Sequence, residues 1–273
     1  MRPTVHSLQN SRVKAAATLR DAGQRRQSKK ILIDGIRESA CAANSGIEII
    51  ELFVDAAKLD VAGNDQLAQL LQRVPANCIQ PITTQVMKKL SYGERHSEIV
   101  CVAKAPKTEL SELQTSSNSL WLVVDHVEKP GNLGAIVRSA DAAGVSGVVF
   151  TNPVCELFNP NAIRASLGTV FTVPIACAST QAAQEFLLNQ GCRLIAARVD
   201  ATVPYWNIDY QSPTAIVLGS EAHGLGADWL GEEIQSVMIP MRGSADSLNL
   251  SASVSILLYE AVRQRQARIN RLQ

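Results

Sequence analysis

The side chains of this chain best suited to chemistry sit in three polar, glycine-rich stretches. In "HVEKPGNLGAIVRSADAAG" (126–144) they are Asn132 and Arg138. In "VLGSEAHGLG" (217–226) they are Ser220, Glu221 and His223. In "IPMRGSADSLNLSASVSILLYE" (239–260) they are Arg242, Asp246, Ser247 and Asn249. Each stretch follows an apolar run, and its glycines let backbone N–H groups gather around a ligand. Each side chain also has a plain structural use. Asn132 fits a helix N-cap, as does a Ser or Asn at the start of the last helix. Glu221 fits a first-turn carboxylate facing a helix dipole, and Arg138 a surface or ion-paired arginine. Ser220 and His223 suggest nucleophilic hydrolysis, but the strained elbow G-x-S-x-G is missing because Ala222 occupies the place of its second glycine. No G-x-G-x-x-G dinucleotide fingerprint and no P-loop lysine pattern occurs in either glycine loop.

Elements that would position these loops are legible in the hydrophobic pattern. "LWLVVDHV" (120–127), "GVVFT", "VPIACAS", "RLIAARV", "TAIVLGS" (214–220) and "SVMIPM" (236–241) read as apolar strands. Between them lie helical stretches, among them a stripe of Leu133, Ile136, Val137, Ala140 and Ala143 that Gly144 can stop. Others are a short helix after Asn159–Pro160, "TQAAQEFLLNQG", and a last helix carrying Leu250, Val254, Leu257, Leu258 and Ala261. Continuous apolar strands alternating with helices predict a parallel sheet covered on both faces, with ligands at its carboxyl edge. Ahead of it a smaller α/β unit is expected. Its pattern is a basic helix near 7–21, "KKILIDG", a helix from Ile36 to Asn44, "IEIIELFVD", "NDQLAQLLQRV", "CIQPIT", "TQVMKKL" and "EIVCVAK". The organisation predicted is a first domain over 1–105, a linker over 106–118 and a second domain over 119–273.

The charges nearly cancel, 26 basic against 25 acidic, but residues 1–38 hold nine Lys or Arg against three acids. A second basic run, Arg263, Arg265, Arg268 and Arg271, closes the chain. Such runs are solvated helix faces or contacts for a nucleic-acid backbone. The six scattered cysteines form no C-x-x-C pair and the histidines do not cluster, which argues against a disulfide framework or a metal site and for a reducing, cytoplasmic setting. No apolar run approaches the length of a membrane span.

The three long motifs, in this order and at these separations, closely resemble the signature motifs of the SpoU/TrmH family of RNA ribose 2′-O-methyltransferases in the SPOUT superfamily. The resemblance covers residues 119–266. The preceding "SKKILIDGIRESACAANSGIEIIELFVD" and "SYGERHSEIVCVA" are similar to a ribosomal-protein-L30e-like substrate-binding domain. The resemblance implies an α/β fold whose C-terminal parallel sheet carries a trefoil knot, a rare exception to ordinary connectivity. It implies S-adenosylmethionine as cofactor, contacted at Leu218, Gly219, Ile239, Met241 and Leu248. It implies catalytic roles for Asn132, Arg138, Glu221, Ser247 and Asn249, with no metal. In the family Arg138's position is cast as taking the hydroxyl proton; the stability of a charged guanidinium makes that costly, and a phosphate clamp is expected instead. The implied partners are structured RNA, ribosomal rather than transfer RNA, and a second copy bound through the C-terminal domain, with the last helix giving an apolar dimer face. A transfer-RNA enzyme and a non-catalytic RNA-binding relative are the alternatives. The chain departs from the family pattern at Ala222, Gly226 and Lys129, the last standing where an acidic residue is usual.

Overall fold

The computed structural model describes residues 2–59, 65–92, 97–114 and 116–272, the last five of these by backbone alone. Asn64 of "NDQLAQLLQRV", the "GERH" of "SYGERH", Thr115 of the linker and the side chains of Arg268 and Arg271 therefore lie outside the described residues. The chain forms two compact units, Met1–Pro106 with Glu156–Thr172, and Lys107–Cys155 with Val173–Gln273.

In the first unit the basic helix expected near 7–21 is α1 (Ser11–Thr18), and a second short basic helix, α2 (Ala22–Ser28), follows it. The break has a local cause: the Asp21 carboxylate accepts from Gln24 N at 3.0 Å and starts a new helix, as Asn10 does for α1. There follow β1 (Lys30–Asp34), α3 (Ile36–Asn44), β2 (Ile49–Asp55), α4 (Asp65–Arg73), β3 (Ile79–Ile82), α5 (Thr84–Leu90) and β4 (Ile99–Lys104). The sheet order is β1-β4-β2-β3, antiparallel except for the β2–β3 pair. Its core joins Leu32, Phe53, Ile82 and Val100 to Val13 of α1 and Met87 of α5.

The basic N-terminal segment is partly consumed by this unit. Arg12 pairs with Glu51, Arg20 donates to the carbonyls of Lys89 and Ser91, and Arg25 is buried. Lys14, Arg26, Lys29, Lys30 and Arg37 remain exposed.

The second unit is a six-stranded sheet, all of it parallel, in the order β10-β8-β9-β5-β6-β7. Its strands are β5 (Leu120–Asp125), β6 (Gly147–Thr151), β7 (Ile175–Ala178), β8 (Arg193–Ala197), β9 (Thr214–Leu218) and β10 (Ile234–Val237). Every residue of β5, β6 and β9 is buried, as apolar runs covered on both faces require. Helices α6 (Pro130–Ala143), α8 (Thr180–Asn189) and α9 (Leu250–Leu272) cover it, and α6 stops at Gly144 with φ 65°.

Three expectations change here. Asn132 is the third residue of α6, since Pro130 opens that helix, so it is not the cap. The last strand ends at Val237 rather than running over 236–241. Met238 N donates to Val203 O (2.8 Å) and Tyr205 N to Met238 O (2.9 Å), so the chain leaves the β8 ladder and Ile239 and Met241 fall in a loop. Finally, the last helix, expected to give an apolar dimer face, buries its stripe of Leu250, Val254, Leu257, Leu258 and Ala261 within the chain. That helix packs against α6 and β9. Arg265, half of the basic tail's described side chains, turns inward and donates to the carbonyls of Asn118, Ser119, Tyr210 and Ser212.

Residues Glu156–Thr172, including α7 (Pro160–Ala165), belong to the first unit although they lie inside the stretch expected to form the second domain. The reason is charge pairing with distant residues. Glu156 closes on buried Arg25, whose Nε donates at 3.1 Å, and Arg164 donates to the buried Asp34 carboxylate at 3.3 Å and to Tyr92 O at 2.8 Å. Gly168 then presses on α3, where a Cβ would come within 2.8 Å of Cys41 Cβ. No described helix is long and apolar enough to cross a membrane.

Candidate functional site

At the carboxyl ends of β8 and β9 the second unit has a cavity of about 460 Å³, within the size range of small-molecule sites. Leu218, Gly219, Ile239, Met241 and Leu248, the five residues assigned to a cofactor from the sequence, all line it, together with Ser247 and Glu221. Apolar side chains and backbone groups predominate on this wall. Its shape depends on Gly219. The chain turns back after β9 so tightly that a Cβ there would stand 2.0 Å from Gly224 O, which only glycine permits. The turn is held by Gly224 N donating to Ser220 O at 3.0 Å, with Gly224 itself at φ 64°. Ser220 Oγ accepts from the backbone N of His223 at 3.1 Å, so that hydroxyl serves the turn. Arg198 braces the far side with a two-pronged contact to Asp200 (2.9 and 3.1 Å) and a bond to Leu225 O at 3.0 Å. That pairing holds the Asp200 carboxyl below the usual carboxylate range.

A second cavity, of about 280 Å³, adjoins the first and shares Ser220, Glu221, Ala222 and Leu250 with it. Its other walls are His126 to Lys129 and Asn132. Glu221 is therefore the junction between the two. Lys129 Nζ donates to its Oε2 at 3.0 Å, and Asn249 Nδ2 (2.5 Å) and Leu250 N (3.4 Å) donate to its Oε1. The Lys129 ammonium, then the Leu250 amide and the Asn132 side chain, hold the Glu221 carboxyl below the usual carboxylate range against the opposing effect of burial. Asn249 Oδ1 meanwhile accepts from Ser251 N at 3.0 Å, so one amide both caps α9 and fixes Glu221.

Of the ten candidate residues, nine thus line or bond across these two cavities. Arg138 does not: it is exposed on α6 and lines neither. Two residues at this edge escaped the sequence reading. Asp125 ends β5 and is buried, and His126 Nδ1 lies 3.0 Å from its Oδ2. The signal available was a charged pair, Asp-His, closing an otherwise apolar strand. Among the described residues no group of His, Cys, Asp and Glu is arranged to hold a metal ion.

Leu218, Ile239, Met241 and Leu248 give the larger cavity apolar walls that suit the flat face of a heterocyclic base. The comparisons agree. Residues 119–259 match the SpoU rRNA Methylase family, and residues 10–101 match the MRM3-like substrate binding domain. The chain is 28% identical over 259 residues to the 23S rRNA (uridine(2479)-2′-O)-methyltransferase of Streptomyces viridochromogenes, covering 91% of this chain and 88% of that protein. It is 31% identical over 250 residues to a 23S rRNA (guanosine-2′-O-)-methyltransferase of Shewanella oneidensis, covering 88% and 99%. The crystal structure of the AdoMet-bound rRNA methyltransferase from Sinorhizobium meliloti matches with a TM-score of 0.86 at 27% identity, over 96% of this chain and 97% of that one.

Proposed function

This chain belongs to the SpoU rRNA Methylase family, and from that premise we propose that it methylates a ribose 2′-hydroxyl of 23S ribosomal RNA, using S-adenosylmethionine as donor. The observation that carries the reading is the pair of adjoining cavities hinged on Glu221: one has the walls for the donor, the other the polar groups for a sugar. Leu218, Gly219, Ile239, Met241 and Leu248 would hold the donor. Bound there, it supplies a methyl group on a sulfonium, a leaving arrangement that needs no covalent help from the protein. What remains for the chain is to align an oxygen, route its proton and keep water out.

Asn132, Ser247 and Asn249 orient the sugar by hydrogen bonds. Glu221, ionised and fixed from both sides, accepts a bond from the incoming hydroxyl or its neighbour and keeps the Asn132 and Asn249 amides in place. Arg138, outside both cavities, is read as a phosphate clamp. Exposed Lys14, Arg26, Lys29, Lys30 and Arg37 of the first unit supply sequence-independent grip on the RNA backbone. The hydroxyl that distinguishes RNA from DNA is then read in the second unit. We read the enzyme as a cytoplasmic homodimer through the second unit, with exposed Tyr259 of α9 rather than the buried stripe facing the second copy. We read the chain beyond β9 as threaded in the family's trefoil knot.

The test is transfer of tritiated methyl from S-adenosylmethionine to ribosomal RNA from a strain lacking the gene, with the label mapped to one ribose. Label on the 2′-oxygen of a 23S nucleotide is expected. Label on a base, on transfer RNA only, or no donor binding by calorimetry would overturn the reading.

A further inference from the structure

The side chains assigned so far serve the donor, the sugar and the phosphates, and they leave the base on the target ribose without a partner. That base needs one. A sugar drawn into a cavity of about 280 Å³ is pulled out of line with its neighbours, so its base loses the stacking it had in the RNA. Aromatic side chains, histidine among them, replace that stacking in proteins that read unpaired nucleotides.

His126 is placed for this. It lines the smaller cavity together with Asn132 and Glu221, and its side chain is 54% exposed. One edge of the ring is held, because Nδ1 lies 3.0 Å from Oδ2 of Asp125. That carboxyl is itself fixed at the end of β5, where its Oδ1 accepts from Thr151 Oγ1 at 2.7 Å and from Asn152 Nδ2 at 3.3 Å. The backbone is held too. His126 N donates to Thr151 O at 2.9 Å, and a φ of 52° turns the chain off the end of β5, so the ring leaves the alternation of the strand. A ring ordered before RNA arrives loses little freedom on binding.

The surroundings favour a base over a phosphate. Lys129, the one lysine or arginine lining this cavity among the described residues, is taken by Glu221 at 3.0 Å, and Glu128 lines the cavity as well. The loop after β6 is tied to the same turn, since Val154 N (3.0 Å) and Cys155 N (3.2 Å) both donate to Val127 O. This anchoring leaves Val154, 68% exposed, as an apolar neighbour of the turn that carries the ring. An anion would meet carboxyl groups here, whereas a neutral, flat base meets an aromatic ring and an apolar flank.

We propose that His126 is the stacking platform for the base of the methylated nucleotide, with Asp125 holding the ring in place. The inference rests on the methyltransferase reading above and concerns recognition, not the chemical step. Because every base has a π-face, such a platform accepts a purine or a pyrimidine and fixes the position of the base, not its identity.

The experiment uses a 23S ribosomal RNA fragment carrying the mapped nucleotide, prepared intact and with the base of that nucleotide removed. kcat and KM for each RNA are measured for wild type, His126→Asn and His126→Gly, with donor affinity by calorimetry. Asparagine tolerates the left-handed backbone and glycine relieves it, so neither change strains the turn. On intact RNA both variants should lose about 5- to 150-fold in kcat/KM, the range of one base stack, with the loss in KM and donor affinity held. Wild type should lose a similar factor when the base is removed. Removing it should cost the variants nothing further, since ring and base are partners in one contact. Losses that simply multiply, an abasic RNA used by wild type as well as the intact one, or wild-type kcat/KM in both variants would overturn the proposal. So would a loss that falls on donor affinity. Absence of 2′-O-methyl transfer to the intact fragment by wild type would instead sink the functional reading itself.

Discussion

Lys129 and Glu221 show how a single departure from a family pattern can be absorbed by its neighbour. The ammonium, standing where the family resemblance leads one to expect an acid, lies 3.0 Å from the carboxylate shared by the two cavities. Because Glu221's folded-state pKa is lowered, its ionised contacts are fully present above the usual carboxylate range and fade as pH falls through the lowered value. Lys129→Met removes the leading cause, so the fading should begin at a higher pH. A ¹³C titration of the Glu221 carboxyl should show a raised midpoint; an unmoved one would mean the pair does not persist in solution, as many exposed pairs do not. Gly219 is the other residue on which the site depends. Gly219→Ala places a carbon 2.0 Å from a backbone oxygen that no rotamer change can relieve. We expect a loss of about 1–3 kcal/mol in stability and at least tenfold in donor affinity, read by thermal unfolding and calorimetry. Retention of both would show that the turn after β9 opens freely.

Among the elements, α9 connects fold to site most directly. Its first turn is capped by Asn249, whose amide also holds Glu221, and its apolar side is buried against α6 and β9. Asn249→Ala should cost about 0.5–2 kcal/mol through the lost cap and depress activity by more than that stability loss explains. Leu257→Ala, fully buried but remote from both cavities, should cost about 2–5 kcal/mol while leaving kcat of the folded enzyme near wild type. Urea unfolding beside steady-state kinetics separates the two; equal kcat losses would dissolve the distinction. Hydrophobic pattern made most of these elements legible, because a strand buried on both faces has little choice of composition. It failed where apolar residues line a cavity instead of a core. Ile239 and Met241 read as strand, yet they leave the ladder for the cavity wall. It failed also at Asp125 and His126, whose significance is a distance between side chains and not a spacing in the chain.

For the whole molecule, neither unit is continuous along the sequence, because residues 156–172 belong to the first. Local pattern recognises α7 as a short helix but carries no sign that Glu156 and Arg164 belong with Arg25 and Asp34, more than a hundred residues away. A fragment ending at Pro106 lacks both partners. Removing one member of a buried ion pair costs about 3–5 kcal/mol, so this fragment should unfold at distinctly lower urea than the same unit in the full chain, measured by fluorescence or hydrogen exchange. An equally stable fragment would show that residues 156–172 are mere decoration.

The same interleaving has a temporal side. On the ribosome the first 106 residues emerge without the segment that neutralises Arg25, and the 49 residues separating Pro106 from Glu156 take roughly 2–10 s to synthesise. The N-terminal half must therefore wait, partly assembled and cationic, until that segment emerges. Its completion is thus timed by translation of residues 156–172, which lie within the second unit's stretch of sequence.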